Sequence, residues 1–268
     1  MEEREDVTSG LRIGGPSRRA VIGVATLIAL AALWVVATSL AGWIGPGRFP
    51  SPPEVWEALR QIAVRGYAGG TLVFQCWYSL RLVLLGFAVA VATGVPLGLW
   101  MGWSRRAEAL INPAFLLIRP IPPLAWIPLA IVWFGLGDVA KIFVIWFAAF
   151  VPALINAYTG VRTVDPTLVA AARVMGASDR RLLLDVVLPS ALPMIFTGLR
   201  LSLQASWTTL VAAELVGAIF GLGRVLVIAY QDIYPAMIAV AMVCVGVLGA
   251  LTTQALALVE RRVLPWRA

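Results

Sequence analysis

Residues 170–189 read AAARVMGASDRRLLLDVVLP, a polar segment in a chain that is otherwise mostly apolar. Asp165-Pro166, just upstream, forms a helix start: the aspartate caps and the proline takes the first helical position. Leu168, Ala171, Ala172 and Met175 then share one side of that helix. Gly176 is the expected stop. Ser178 or Asp179 can cap a second short helix through Leu188, which Pro189 is expected to end. Arg173, Arg180 and Arg181 hold the segment out of a bilayer. A short helix with a small-residue face, presented between two apolar spans, suits either a groove on a partner or the headgroup layer of a membrane.

The surrounding chain sets the solvent. It has 268 residues, 60% of them hydrophobic and 13% charged, with a mean hydropathy of +0.89. Soluble domains carry roughly 25% charged residues, so a lipid-embedded, multi-span, all-α chain is expected. Runs of about 20 apolar residues cross a bilayer. Six such spans can be drawn, at 20–44, 77–103, 110–134, 139–160, 190–217 and 235–259. On one side their ends carry Arg18, Arg19, Arg105, Arg106, Arg162, Arg173, Arg180, Arg181, Arg261, Arg262 and Arg267. The other side has only Arg48, Arg60, Arg65, Lys141 and Arg224. That imbalance places both termini in the cytoplasm. Trp43, Trp100, Trp103, Trp133 and Trp266 stand near proposed span edges, as interfacial anchors do.

Several function classes are excluded. The net charge of +7 follows the span ends and is a topology signal, so no nucleic-acid partner is expected. The chain has no histidine, the commonest general base and metal ligand, so neither a catalytic nor a metal site is expected. Its single lysine, Lys141, stands in DVAKIF, which rules out a GxxxxGK[ST] phosphate loop. Cys76 and Cys244 are far apart in sequence and read as two small buried hydrophobes.

Gly94, Gly98 and Gly102 recur every four residues and allow another helix to approach closely, in the same subunit or in a second one. Pro96 is expected to bend that span. RPIPPLAWIPLAIVWFGLG, in the third span, has prolines at 120, 122, 123 and 128. Such a segment needs shielding by protein or a cavity to face, so it is either a kinked packing helix or part of a pathway. Between the first two spans, GPGRFPSPPEVWEALRQIAVRGY reads as a linker or a short interfacial helix, with Ser51 or Pro52 near the cap and Pro53 in the first turn.

The run A-A-A-x3-G-x9-V-x-L-P from Ala170 to Pro189 resembles the signature E-A-A-x3-G-x9-I-x-L-P of binding-protein-dependent ABC importer permeases. Ala171, Ala172, Gly176, Leu188 and Pro189 match, Val186 is a mild change, and Ala170 stands where the family has glutamate. IPLAIVWFGLGDVAKIF (127–143), GVRTVDPTLVAAAR (160–173), VLPSALPMIFTGLR (187–200) and VAAELVGAIFGLG (211–223) resemble the aliphatic sulfonate/taurine/nitrate subgroup. The resemblance implies a type I importer fold in a bacterial inner membrane: a permease domain over 20–262, a coupling region at 161–189, and tails at 1–19 and 263–268. It implies a homodimeric permease, two ATPase subunits that hold ATP and magnesium, and an extracytoplasmic solute-binding protein. The ATPase would be met by Asp165, Ala170, Ala171, Ala172, Met175, Gly176 and Ala177, with Leu188 and Pro189 closing the motif.

Costly polar groups within spans are the candidates for a substrate pathway. Arg200, Gln204, Trp207 and Thr208 are spaced to share a helix face. Arg81, Arg119 and Glu214 complete the set; the alternatives are that Arg81 and Arg119 snorkel to an interface and that Glu214 pairs internally or caps the outer end. The forked donors of arginine suit sulfonate, carboxylate or nitrate. The competing reading, an ion-driven secondary transporter, predicts paired broken helices and internal repeats, and no convincing repeat between the halves is visible. A membrane-embedded enzyme has few chemical resources here.

Overall fold

Glycines decide how the long helices meet. The computed structural model describes residues 18–42, 45 and 47–267. Helix α1 spans Arg18–Val35 and continues as a π-turn over Val36–Leu40. It is followed by α2 (Pro52–Val64), α3 (Leu72–Trp103), α4 (Arg105–Ile118), α5 (Ile127–Phe134) and α6 (Asp138–Arg162). Then come α7 (Pro166–Val174), α8 (Asp179–Arg181), α9 (Leu188–Gly217), α10 (Leu222–Gln231) and α11 (Pro235–Val263). No strand occurs among the described residues. Among the described residues, five helices are long and apolar enough to cross a membrane, or six if the bent α4–α5 pair counts as one span. Residues 1–17 of the expected tail, and Trp43 and Ile44 of the first expected span, lie outside the described residues.

The centre is a packed trio, α3, α6 and α9. A methyl group built on Gly94 would meet Ala153 Cβ at 3.1 Å; on Gly98 it would meet Ala157 Cβ at 2.8 Å, and on Gly102 Val161 Cβ at 2.6 Å. Both partners advance by four residues per step, so α3 and α6 run parallel with backbones in near contact. The glycine face is therefore an internal seam of this chain. The α6–α9 pair runs antiparallel: Gly160 abuts Ala191, and Gly198 abuts Pro152 and Asn156. Ser202 donates to the Ala149 carbonyl at 2.6 Å, closing that seam with a buried polar contact. Small residues bring backbones together where lipid offers no hydrophobic drive.

Two sequence expectations change. The third span is not one helix, because α4 and the segment Pro123–Phe134 meet at 83°. Pro120, Pro122 and Pro123 remove three of the four amide donors at 120–123, and a 3-10 turn at Pro123–Trp126 restarts the chain. Pro189 does not end a helix, since Asp179–Gly217 runs on as one span. A π-turn over Leu182–Val187 precedes it, and the Leu188 amide bonds to the Leu183 carbonyl, five residues back. The wider turn relieves the helix of the bond that Pro189 cannot donate. Lys141 falls inside the expected fourth span, at its start. It is buried in the first turn of α6, over the Tyr78 ring and 3.8 Å from Asp138. Helix α3 itself continues unbroken through Pro96.

Between the first spans, α2 opens with the expected cap. Ser51 is the N-cap, Pro52 follows, and the Glu54 carboxylate accepts from the Ser51 amide at 2.7 Å. Ala58 and Ile62 of α2 pack with Val225, Ala229, Met237 and Val240 of α10 and α11, forming a small core at the end of the molecule opposite α7.

Candidate functional site

Helix α7 stands between α6 and the long α9 span, and its two ends are built as the residue types dictate. Asp165 caps it, accepting the Thr167 amide at 2.8 Å, with Pro166 at the first position. The Thr167 amide and hydroxyl hold the Asp165 carboxyl below the usual carboxylate range. At the other end Gly176 takes φ +81°. Its amide donates to Arg173 O, and the Ala177 amide donates to Ala172 O, each at 3.0 Å. That pair of reverse bonds is a Schellman closure, which satisfies the last carbonyls of a helix. Ser178 then caps α8, accepting from the Arg181 amide at 3.5 Å.

The exposed face of α7 differs slightly from the one drawn from spacing. Leu168, Val174 and Met175 are 52%, 89% and 85% exposed, and Ala170 and Ala171 are exposed beside them. Ala172 and Ala177 are half-buried, turned partly towards the body. Leu188 and Pro189 are half-buried in the start of α9 and belong to the span rather than to the presented surface.

The pathway candidates separate into distinct settings. Glu214 is 1% exposed and acts as a structural cap. It accepts from Ser79 Oγ at 2.8 Å and from the Gly223 amide at 2.7 Å. The Gly221 amide donates to Gln75 Oε1 at 2.6 Å, and the Leu222 amide donates to Ser79 Oγ at 2.8 Å. Gln75, Ser79 and Glu214 thus satisfy the free amides that begin α10, where each unpaired buried donor would cost about 1–3 kcal/mol. Gln75 and Ser79 have no local sequence signal; only the fold brings them to residues 221–223.

Trp207 leaves the proposed polar face. It is 6% exposed, packs with Leu82, Ile145 and Leu210, and donates to Thr252 Oγ1 at 3.1 Å. A spacing of three from Gln204 turns it towards α3, α6 and α11 rather than outward. Arg200, Gln204 and Thr208 do lie together, on an exposed stripe of α9 that also holds Ser190 and Thr197. Ser190, Thr197 and Thr208 return their hydroxyls to carbonyls four residues back. Arg200 pairs with Glu260 near the end of α11. Arg81 is held elsewhere, by Asp138 and over the Tyr78 ring, near the start of α6. Arg119 caps the C-terminal end of α4, on the rim of an apolar recess of about 350 Å³ that includes Phe115, Trp146 and Phe150.

No His/Cys/Asp/Glu group able to hold a metal occurs among the described residues. The cysteines, remote in sequence, are neighbours in space: the Cys76 thiol of α3 lies against that of Cys244 on α11.

This arrangement has known counterparts. Residues 94–265 match the family described as binding-protein-dependent transport system inner membrane component. The chain belongs to the binding-protein-dependent ABC importer permeases. This permease is 36% identical over 251 residues to the taurine transport system permease protein TauC of Escherichia coli, covering 93% of this chain and 91% of that one. It is 35% identical over 252 residues to the bicarbonate transport system permease protein CmpB of Synechococcus elongatus, with 91% and 89% covered. Among solved structures, an inward-facing MetNI methionine ABC transporter chain superposes with a TM-score of 0.59 at 24% identity, covering 72% of the permease and 95% of that chain. That likeness supports the fold. The matched region contains α7, its Gly176 turn and the whole of α9.

Proposed function

We propose that this permease is one half of the membrane pathway of an ATP-driven importer for a small anionic solute. The observation that carries the reading is α7. It is a helix fixed at both ends by a cap and a Schellman turn, yet it presents Leu168, Val174 and Met175 unburied. Large apolar side chains held that rigidly in the open suit the groove of a separate ATPase, which would hold ATP and magnesium. Closing of the ATPase pair would push on α7 and shift the spans it joins, alternating access between the two faces.

The polar stripe on α9 supports a pathway shared by two copies. Arg200 and Gln204 are exposed on a membrane-spanning helix, and such groups face cavities or partners rather than lipid. A second copy of this chain would enclose that face. Arginine suits sulfonate, taurine, nitrate or bicarbonate oxygens, and TauC and CmpB are named for taurine and bicarbonate transport. An extracytoplasmic binding protein would deliver the solute at the α10–α11 end. The arginine bias supports a cytoplasmic setting for α7 and both termini.

Crosslinking tests the docking claim. In a chain with Cys76 and Cys244 replaced by alanine, Met175→Cys is expected to crosslink to a partner ATPase carrying a single groove cysteine. Met175 is the better probe than Ala172, which is half-buried. Labelling of that cysteine by lipid-phase reagents alone, with no crosslinked product, would place α7 on the headgroups instead.

A further inference from the structure

A groove of about 760 Å³ opens between α7 and the adjoining ends of α3 and α6. Its floor is apolar, with Gly102, Val161 and Val187 all buried. Its rim is basic, formed by Arg105, Arg162 and Arg173. Glu108 pairs with Arg162, whereas Arg105 and Arg173 form no ion pair among the described residues. Ala170 lines the same groove, and its methyl group stands where the family signature has a carboxylate. The position that would otherwise neutralise the rim therefore leaves it positive.

Depth identifies the occupant. Trp103, the last residue of the α3 span, lines the groove beside Arg105. An indole at the end of a spanning helix marks the membrane interface, so the rim arginines stand at headgroup level. Basic pockets between helix ends at that level suit anionic headgroups, and an apolar floor accepts the acyl-chain side of the same molecule. We propose that this groove binds the phosphate of an acidic phospholipid. The inference requires only that α3 crosses the bilayer; it does not depend on ATP coupling.

Native mass spectrometry of the purified full chain tests it, with phosphatidylglycerol and phosphatidylcholine offered separately. The wild type is expected to retain phosphatidylglycerol at least about tenfold more strongly, at roughly fivefold per arginine near an anionic headgroup. Arg105→Gln with Arg173→Gln is expected to lower that retention by about thirtyfold. Ala170→Glu, which places a carboxylate on the groove wall, should lower it as well and gives a second route if the double variant folds poorly. Arg106→Gln, on the same helix turn but off the groove, should leave retention unchanged. Equal retention of the two lipids, or an equal loss with Arg106→Gln, would overturn the assignment. Competition by millimolar inorganic phosphate would point to a free anion instead, and displacement by a partner ATPase to a protein-filled groove; either would also overturn it.

Discussion

Gly176→Val is expected to lower transport by about tenfold or more while the chain still inserts and folds. Gly176 has φ +81°, and a Cβ there would meet nothing within 4 Å. Space is not the obstacle; backbone conformation is. A left-handed residue with a side chain costs roughly 1–2 kcal/mol, and a β-branched one stands at the upper end. The chain can relieve that cost only by opening the bonds from the Gly176 and Ala177 amides, which set the angle between α7 and the helix leading into α9. Gly176→Asn separates conformation from chemistry, because asparagine tolerates the left-handed region. Its uptake is expected to stay near the wild type. Equal loss in both variants would show that the turn's conformation is not what matters.

Gly98→Val has the largest expected effect on stability. A Cβ at Gly98 would stand 2.8 Å from Ala157 Cβ and 3.1 Å from the Leu154 carbonyl carbon. Since backbone lies behind the clash, α3 and α6 must move apart, and overpacking of this kind costs about 1–3 kcal/mol or more. The shift would spread through Gly94 and Gly102, which use the same seam. Gly246 in α11 is the contrast, with nothing within 4 Å of a built Cβ. Gly246→Ala is expected to be neutral or stabilising by up to about 1 kcal/mol, as alanine is the better helix former. Unfolding in detergent, followed by circular dichroism, would measure both. A Gly98→Val midpoint unchanged from wild type would refute the close seam.

Local chemistry was legible in the sequence wherever a residue type answers a backbone need. Asp165-Pro166, Gly176 and Ser51 were readable because caps and left-handed turns admit few residue types. Gly94, Gly98 and Gly102 were readable as a face, although only the partner helix showed that the face is internal. Prolines were harder to weigh. Pro96, Pro113, Pro152 and Pro193 lie inside continuous helices, whereas the cluster at 120–123 breaks one. A lone proline frees a carbonyl that neighbouring groups or a shifted turn can accommodate; several in succession remove too many donors.

Long-range pairing was not legible. Trp207 has polar neighbours in sequence, but Thr252 of α11 sets its direction. Glu214 reads in sequence as either a pathway charge or an outer-end cap; it caps α10, and the help of Gln75 and Ser79 from α3 is the part that sequence does not show. The adjacency of Cys76 and Cys244 likewise depends on how α11 docks. Arg200 reads in sequence as a polar pathway candidate, while its partner Glu260 lies 60 residues away. Spacing reports which residues share a helix face; it does not report which neighbour that face meets.

The central claim, that this permease is powered by a separate ATPase through α7, is tested most directly by uptake into proteoliposomes. These would hold the permease and its partner ATPase, with the binding protein and a radiolabelled sulfonate outside. The account predicts accumulation that requires ATP on the ATPase side and ceases when that subunit's hydrolytic residue is disabled. Uptake that persists with the disabled ATPase and follows an imposed ion gradient would contradict it.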